Sequence, residues 1–201
     1  MKNKVRIPGI LGGILFAVGI VGTFTIPGGG ETKDAQFLAF YNSSGKRTIA
    51  GFGFLALIIS GWLLIWLFNE LRVSMALGMR TTMAHQLGVI GVAMIVVGGG
   101  IDLAPAMVQM ASHRKYVGPD IASAFSQAGA SVLLAGVWTM AVSIFLTSLQ
   151  MRSSGFFPRW LGAFGMVLAV LLAASIIGTP ILLVPIWAIV VGITGASQKS
   201  K

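Results

Sequence analysis

The sequence predicts an all-α fold, a polytopic transmembrane helical bundle of about six spans with both termini in the cytoplasm. Three observations predict it. The first is composition: of 201 residues, 56% are hydrophobic and only 9% charged, and mean hydropathy is +0.90. A soluble domain carries about a quarter charged residues, so a chain this poor in charge needs lipid as the solvent for much of its surface. The second is segmentation. Apolar runs fall at residues 7–26, 49–69, 87–110, 121–149, 160–177 and 180–196, and about 20 residues suffice to cross a bilayer as a helix. The third is the placement of basic residues. With both termini inside, the cytoplasmic side receives Lys2, Lys4, Arg6, Arg72, Arg80, Arg152, Arg159, Lys199 and Lys201. The outside receives Lys33, Lys46, Arg47, Arg114 and Lys115. That asymmetry obeys the positive-inside rule. Little chain is left for a soluble module, and one transmembrane domain over 1–201 is expected.

The first run follows Lys2, Lys4 and Arg6, as a signal peptide would, but it is long for that role. Ile26-Pro27-Gly28 is also a poor cleavage site, so a retained span is expected. The outer loop at 27–48 opens on Pro27-Gly28-Gly29-Gly30 and carries Phe37, Phe40 and Tyr41. Those aromatics predict a short segment lying on the headgroups, with a partner-docking surface as the alternative. In the second run, Trp62 and Trp66 share a helix face, where core or lipid-facing packing is expected. The fourth run is long enough to tilt or project. The last two runs are separated by little more than Gly178-Thr179-Pro180, and read as two spans or one broken helix.

Helices in lipid gain no hydrophobic energy by meeting, so they associate through close packing and interhelical hydrogen bonds. Small residues at spacing four supply such faces: Gly9, Gly13 and Ala17; Ala122, Ser126 and Ala130; Gly165, Ala169 and Ala173; Ala188, Gly192 and Ala196. Most of these stripes are expected to pack within the bundle, and any left over would meet another subunit.

The third run contains Gly98-Gly99-Gly100-Ile101-Asp102-Leu103-Ala104-Pro105. Each glycine costs a helix about 1 kcal/mol relative to alanine, and Pro105 removes a backbone donor and crowds the carbonyl four residues back. A helix break at Gly98, Gly99, Gly100 and Pro105 is therefore expected beside Asp102, the only acidic residue within the six runs. An ionisable residue at membrane depth is a functional-site hypothesis by default. Gln109, seven residues on, and Gln127 and Ser131 on the fourth run complete a candidate polar pocket in the outer half. The competing reading is purely architectural: Asp102 reaches interfacial water or pairs with Arg114 or Lys115 and so fixes the helices. A proton or cation relay would show further acids along its path, and none is present.

Other chemistry finds little support. The net charge of +9 is spread between apolar runs as orientation signals, so no nucleic-acid partner is expected; the expected partners are the lipid bilayer and other membrane protein subunits. There is no cysteine, and hence no thiol catalysis or thiolate metal site. His85 and His113 lie about 42 Å apart if the third run is helical, too far to share a metal or haem. No G-x-S-x-G elbow occurs. Neither a metal, a cofactor nor an enzymatic activity is expected.

The turn Ser153-Ser154-Gly155-Phe156-Phe157-Pro158-Arg159-Trp160-Leu161-Gly162 places Pro158, Arg159 and Trp160 as an interface anchor, aromatic at the headgroups and cationic toward phosphates. It resembles a turn in a family of bacterial six-helix membrane proteins of unknown function. The Arg6-Ile7-Pro8-Gly9-Ile10-Leu11 opening and the Arg47–Gly51 segment are similar too. The resemblance implies a bacterial inner-membrane protein of that fold, and no activity. On residues and resemblance together, the first functional expectation is a structural, accessory or regulatory membrane subunit. The second is a carrier or binder of a small or lipophilic molecule at the Asp102 pocket.

Overall fold

The computed structural model describes residues 2–27, 34–75, 78–112, 118–155, 157–174 and 180–197. It is all-helical among the described residues. The helices are α1 (Lys2–Thr23), α2 (Asp34–Asn42), α3 (Ser44–Ser74), α4 (Met79–Ser112), α5 (Pro119–Ser154), α6 (Arg159–Ala173) and α7 (Leu183–Ser197), with a 3₁₀ turn at Pro180–Leu182 before α7. Four of them, α1, α3, α4 and α5, are long and apolar enough to cross a membrane. At 1.5 Å per residue, α3, α4 and α5 reach about 46–54 Å, well beyond the ~30 Å hydrocarbon thickness. Helices α6 and α7 have 15 residues each, about 22 Å. The last two apolar runs are thus two separate helices, and Gly178 and Thr179 between them lie outside the described residues.

The helix ends are written in the sequence. Ser43 caps α3, its Oγ accepting from Lys46 N at 3.3 Å. Gly118-Pro119-Asp120 opens α5 with proline in the first turn, where its missing N–H costs nothing. Gly155 ends α5 at φ +67°, the left-handed conformation that glycine adopts without penalty. Pro158 caps α6 with extended backbone.

The pairs α1/α7, α1/α3, α3/α4, α4/α5 and α5/α6 run antiparallel, as the glycine contacts fix. A Cβ on Gly9 would fall 2.7 Å from Ala188 O and 2.8 Å from Gly192 Cα, and one on Gly13 would fall 2.8 Å from Pro185 O, so α1 and α7 run in opposite directions. Gly22 meets Gly53 and Gly19 meets Leu57 between α1 and α3. Gly88 lies on Phe68 and Gly61 on Val92 between α3 and α4; Gly91 lies on Met140 and Gly98 on Leu133 between α4 and α5; Gly162 lies on Arg152 between α5 and α6. The described termini therefore share one end of the bundle, where Val5 touches Gly195.

The expected stripes are used, with corrections. Gly9 and Gly13 form one seam with Ala188 and Gly192. Gly165 and Ala169 are buried, and Gly165 lies against Ser148 and Trp187. Ala173 and Ala130 are exposed instead; on α5 the buried face continues from Ala122 and Ser126 to Gly129 and Gly136, which follow the helix better than a strict spacing of four.

The expected break in the third run is absent. Helix α4 continues through Gly98, Gly99, Gly100 and Pro105. The three glycines are approach points instead: Gly98 faces the α5 backbone, and Cβ atoms on Gly99 and Gly100 would each lie 3.1 Å from Leu57 Cδ2 and Phe54 Cζ on α3. A helix packed on both sides has no ready replacement for a lost backbone hydrogen bond, so glycine's weak propensity is outweighed and its small size is what counts.

The core has two parts. The larger runs through the middle and the terminal end and includes Phe16, Leu57, Leu64, Phe68, Ile95, Met140, Ile144, Leu161 and Trp187. The second, at the opposite end, gathers Ile26, Phe37, Phe40, Tyr41, Ala50, Leu103, Ala106 and Ala122. This corrects the reading of the outer loop. Its aromatics do form a short helix, α2, but Phe37, Phe40 and Tyr41 are each at most 2% exposed and point into the bundle, with the Phe40 and Tyr41 rings edge to face at 5.2 Å. The outward face is apolar: Ile7, Leu11, Ile14, Val18 and Val21 on α1, and Phe52, Leu55, Ile59, Trp62 and Trp66 on α3 are all exposed.

Candidate functional site

The residues around Asp102 are positioned by the α4/α5 seam. Gly98 and Gly129 oppose each other across it: a Cβ on either would sit 2.7 Å from the other's carbonyl oxygen. One turn on, a Cβ on Gly129 would fall 2.8 Å from Asp102 N and 2.9 Å from Asp102 Cβ. The backbone of α5 thus rests on Asp102, toward the end of the seam opposite the described termini. Asp102 is half-buried overall, but its Oδ1 is buried with no hydrogen-bond partner among the described residues.

The partner that sequence reasoning missed is Ser126. It is 4% exposed, its hydroxyl hydrogen-bonds the Asp102 carboxylate, and its Oγ lies 3.5 Å from Pro27 O in the segment that follows α1. Three elements therefore meet there. A signal for Ser126 existed, since it belongs to the small-residue stripe on the fourth run, and a stripe that faces a neighbour faces whatever polar group the neighbour carries.

The pocket expected from the sequence is divided by the structure. Gln109 is half-buried on α4 with Oε1 unpartnered, about 10 Å further along the axis than Asp102. Gln127 and Ser131 do not join it. Both are exposed on α5 and bond within their own helix, Gln127 Nε2 to Ser123 Oγ at 3.3 Å and Ser131 Oγ to Gln127 O at 2.9 Å. The reason is rotation. Ser126 and Gly129 take the inward face, so Gln127 and Ser131 take the outward one beside Ala124 and Ala128. His113, Arg114 and Lys115 lie outside the described residues.

The other polar contacts between helices are single bonds that tie the bundle. Ser143 Oγ donates to Ala84 O at 2.7 Å, joining α5 to α4 with both groups buried, and Gln150 Nε2 reaches Met75 O at 3.4 Å. Near the terminal end, Trp187 stacks on Phe68 with centroids 5.5 Å apart and rings at 25°. Its Nε1 and the nearby Ser148 Oγ are buried without partners among the described residues.

Charge divides by end. Lys4, Arg6, Arg72, Arg80, Arg152 and Arg159 gather at the terminal end with Glu70, whose Oε1 accepts from Trp66 Nε1 at 3.1 Å. Lys46, Arg47 and Asp120 lie at the other end. Of the expected anchor, Arg159 and Trp160 are exposed at the basic end and Pro158 is half-buried at the α6 cap. The neighbouring Phe157 is 2% exposed and packs beside Gly195.

Comparison with protein-family models, curated proteins and solved structures finds no match.

Proposed function

We propose that this is a six-crossing membrane protein of the bacterial inner membrane, both termini cytoplasmic, acting as a structural, accessory or regulatory subunit of a membrane assembly. The exposed apolar faces of α1 and α3 suit acyl chains, since monomeric soluble proteins rarely expose contiguous apolar patches of that extent. The antiparallel order of the helices is that of an alternating chain. The basic end carries the charge that the positive-inside rule assigns to the cytoplasm. The similarity of the Ser153–Gly162 turn to that of bacterial six-helix proteins agrees with that placement.

The observation that carries the subunit reading is the outward face of α5. Gln127 and Ser131 stand exposed beside Ala124 and Ala128, at about the level of Asp102. The Gln127 amide has two N–H donors and a carbonyl acceptor, more capacity than its bond to Ser123 uses. Lipid tails offer no partner, whereas another helix does, and small neighbours let that helix come close. By contrast, the seams built on Gly9, Gly98 and Gly165 are already occupied within the chain.

The test is purification from native membranes in mild detergent with and without Gln127→Leu. A stoichiometric membrane partner is expected with the wild-type chain. The substitution is expected to weaken that association about tenfold, the size of one interhelical hydrogen bond in lipid, while circular dichroism stays unchanged. A wild-type chain that purifies alone, or a partner indifferent to Gln127→Leu, would defeat the subunit reading.

A further inference from the structure

The Asp102 site has too few protons for its oxygens. The carboxylate offers two acceptor oxygens and the Pro27 carbonyl a third, and the hydroxyl of Ser126 has one proton to give. Donated to the carboxylate, as the Asp102–Ser126 hydrogen bond has it, that proton leaves Pro27 O, 3.5 Å from Ser126 Oγ, without it. Asp102 Oδ1 stays buried and, among the described residues, unpartnered in either case. An unsatisfied buried acceptor is costly, and more so when charged. The site therefore calls for a positive charge.

Its size and chemistry narrow what that charge is. Helix α5 is seated on Asp102 through Gly129, at distances where even a methyl group would collide. Over the same end lies α2, with Phe37, Phe40 and Tyr41 packed beside Leu103 and Ala122. Backbones this close argue against an organic ammonium, and the smallest charge that would answer these oxygens is a single ion. The available ligands are a carboxylate oxygen, a hydroxyl and a main-chain carbonyl, from three different segments. Oxygens of that kind, with a carbonyl released at the end of a helical segment, are how membrane proteins hold sodium near helix ends. Alkali and other hard cations prefer them to nitrogen or sulfur.

We infer that Asp102, Ser126 and the Pro27 carbonyl form a binding site for a sodium-sized monovalent cation at the outer end of the bundle. The site ties α4 and α5 to the segment after α1, so the cation acts as a bolt between three elements. It is independent of the subunit reading, which rests on the opposite face of α5.

The experiment is thermal unfolding of the full chain in phosphatidylcholine nanodiscs, at constant ionic strength, with sodium, potassium or N-methylglucamine chloride. The midpoint is expected to rise saturably with sodium, on the order of 5 °C at concentrations far above half-saturation, and less with potassium. Asp102→Asn supplies amide donors in place of the charge. It is expected to unfold in sodium-free buffer at or above the wild-type temperature and to ignore sodium. Ser126→Ala, which keeps the charge, is expected to raise the half-saturating sodium concentration about tenfold, the effect of losing roughly one ligand-side hydrogen bond. Equal midpoints in sodium and N-methylglucamine would overturn the inference, as would a sodium response retained in Asp102→Asn. A midpoint that follows pH alone, with that dependence lost in Asp102→Asn, would assign the charge to a proton and also overturn it.

Discussion

Replacing Trp187 by alanine is expected to cost about 3–5 kcal/mol of stability, the range for a fully buried large aromatic truncated in a packed core. Trp187 is 0% exposed. From α7 it stacks on Phe68 of α3 and lies beside Gly165 of α6, so three helices lose their common contact at once. The loss is of dispersion contacts and of a filled volume. Trp187→Phe is the informative companion. It keeps the stack with Phe68 and removes an indole N–H that is buried without a partner, a group whose burial carries a desolvation penalty. Its cost is expected to stay below about 1.5 kcal/mol, as volume-conserving swaps do. Reversible unfolding in mixed micelles measures both. Equal losses in the two variants would show that the indole nitrogen matters more than the stack.

Gly98→Val is the second large effect, expected at about 3 kcal/mol or more, above the usual range for overpacking. A Cβ there would fall 2.7 Å from both Gly129 O and Leu133 N. Both are main-chain atoms, so no side chain can swing aside, and α4 and α5 must move apart along the seam that holds Asp102. Gly51→Ala is the contrasting case. Gly51 lies within α3, and a Cβ there meets nothing within 4 Å. Alanine should therefore stabilise by up to about 1 kcal/mol through helix propensity. The same unfolding titration reads both, and a Gly98→Val variant as stable as wild type would mean the seam is looser than its backbone distances state.

These glycines also show what can be read from the chain without its structure. The stripes of Gly9 and Gly13 and of Ala188 and Gly192 were legible because they repeat at helical spacing, but that they meet each other is set by the fold. The triple glycine was misread for a physical reason. Propensity is a property of the residue alone, whereas the use of Gly98, Gly99 and Gly100 is decided by Leu133, Leu57 and Phe54, which lie far away in sequence. The aromatics of α2 were recognised as an element but placed at the headgroups, since composition records that a ring prefers an interface and not that Leu103 and Ala122 leave room for it inside. Half of the candidate site was legible. Asp102 stands out as the only acid within the apolar runs, but which side of α5 faces it depends on a rotation that no periodicity in that all-round apolar helix declares. Ser126 and Gln127 are adjacent in sequence and have opposite surroundings.

The seam between α1 and α7 has a consequence for how the molecule is made. Gly9 and Gly13 leave the ribosome early, and the backbone they fit is translated near the far end of the chain. During synthesis α1 can engage α3 through Gly19, Gly22 and Gly53, but its other flank waits open to lipid until α7 emerges. The α1/α7 seam thus closes only after α3, α4, α5 and α6 have been made. An arrest during translation before α7 would leave the groove of Gly9 and Gly13 uncovered along the side of α1.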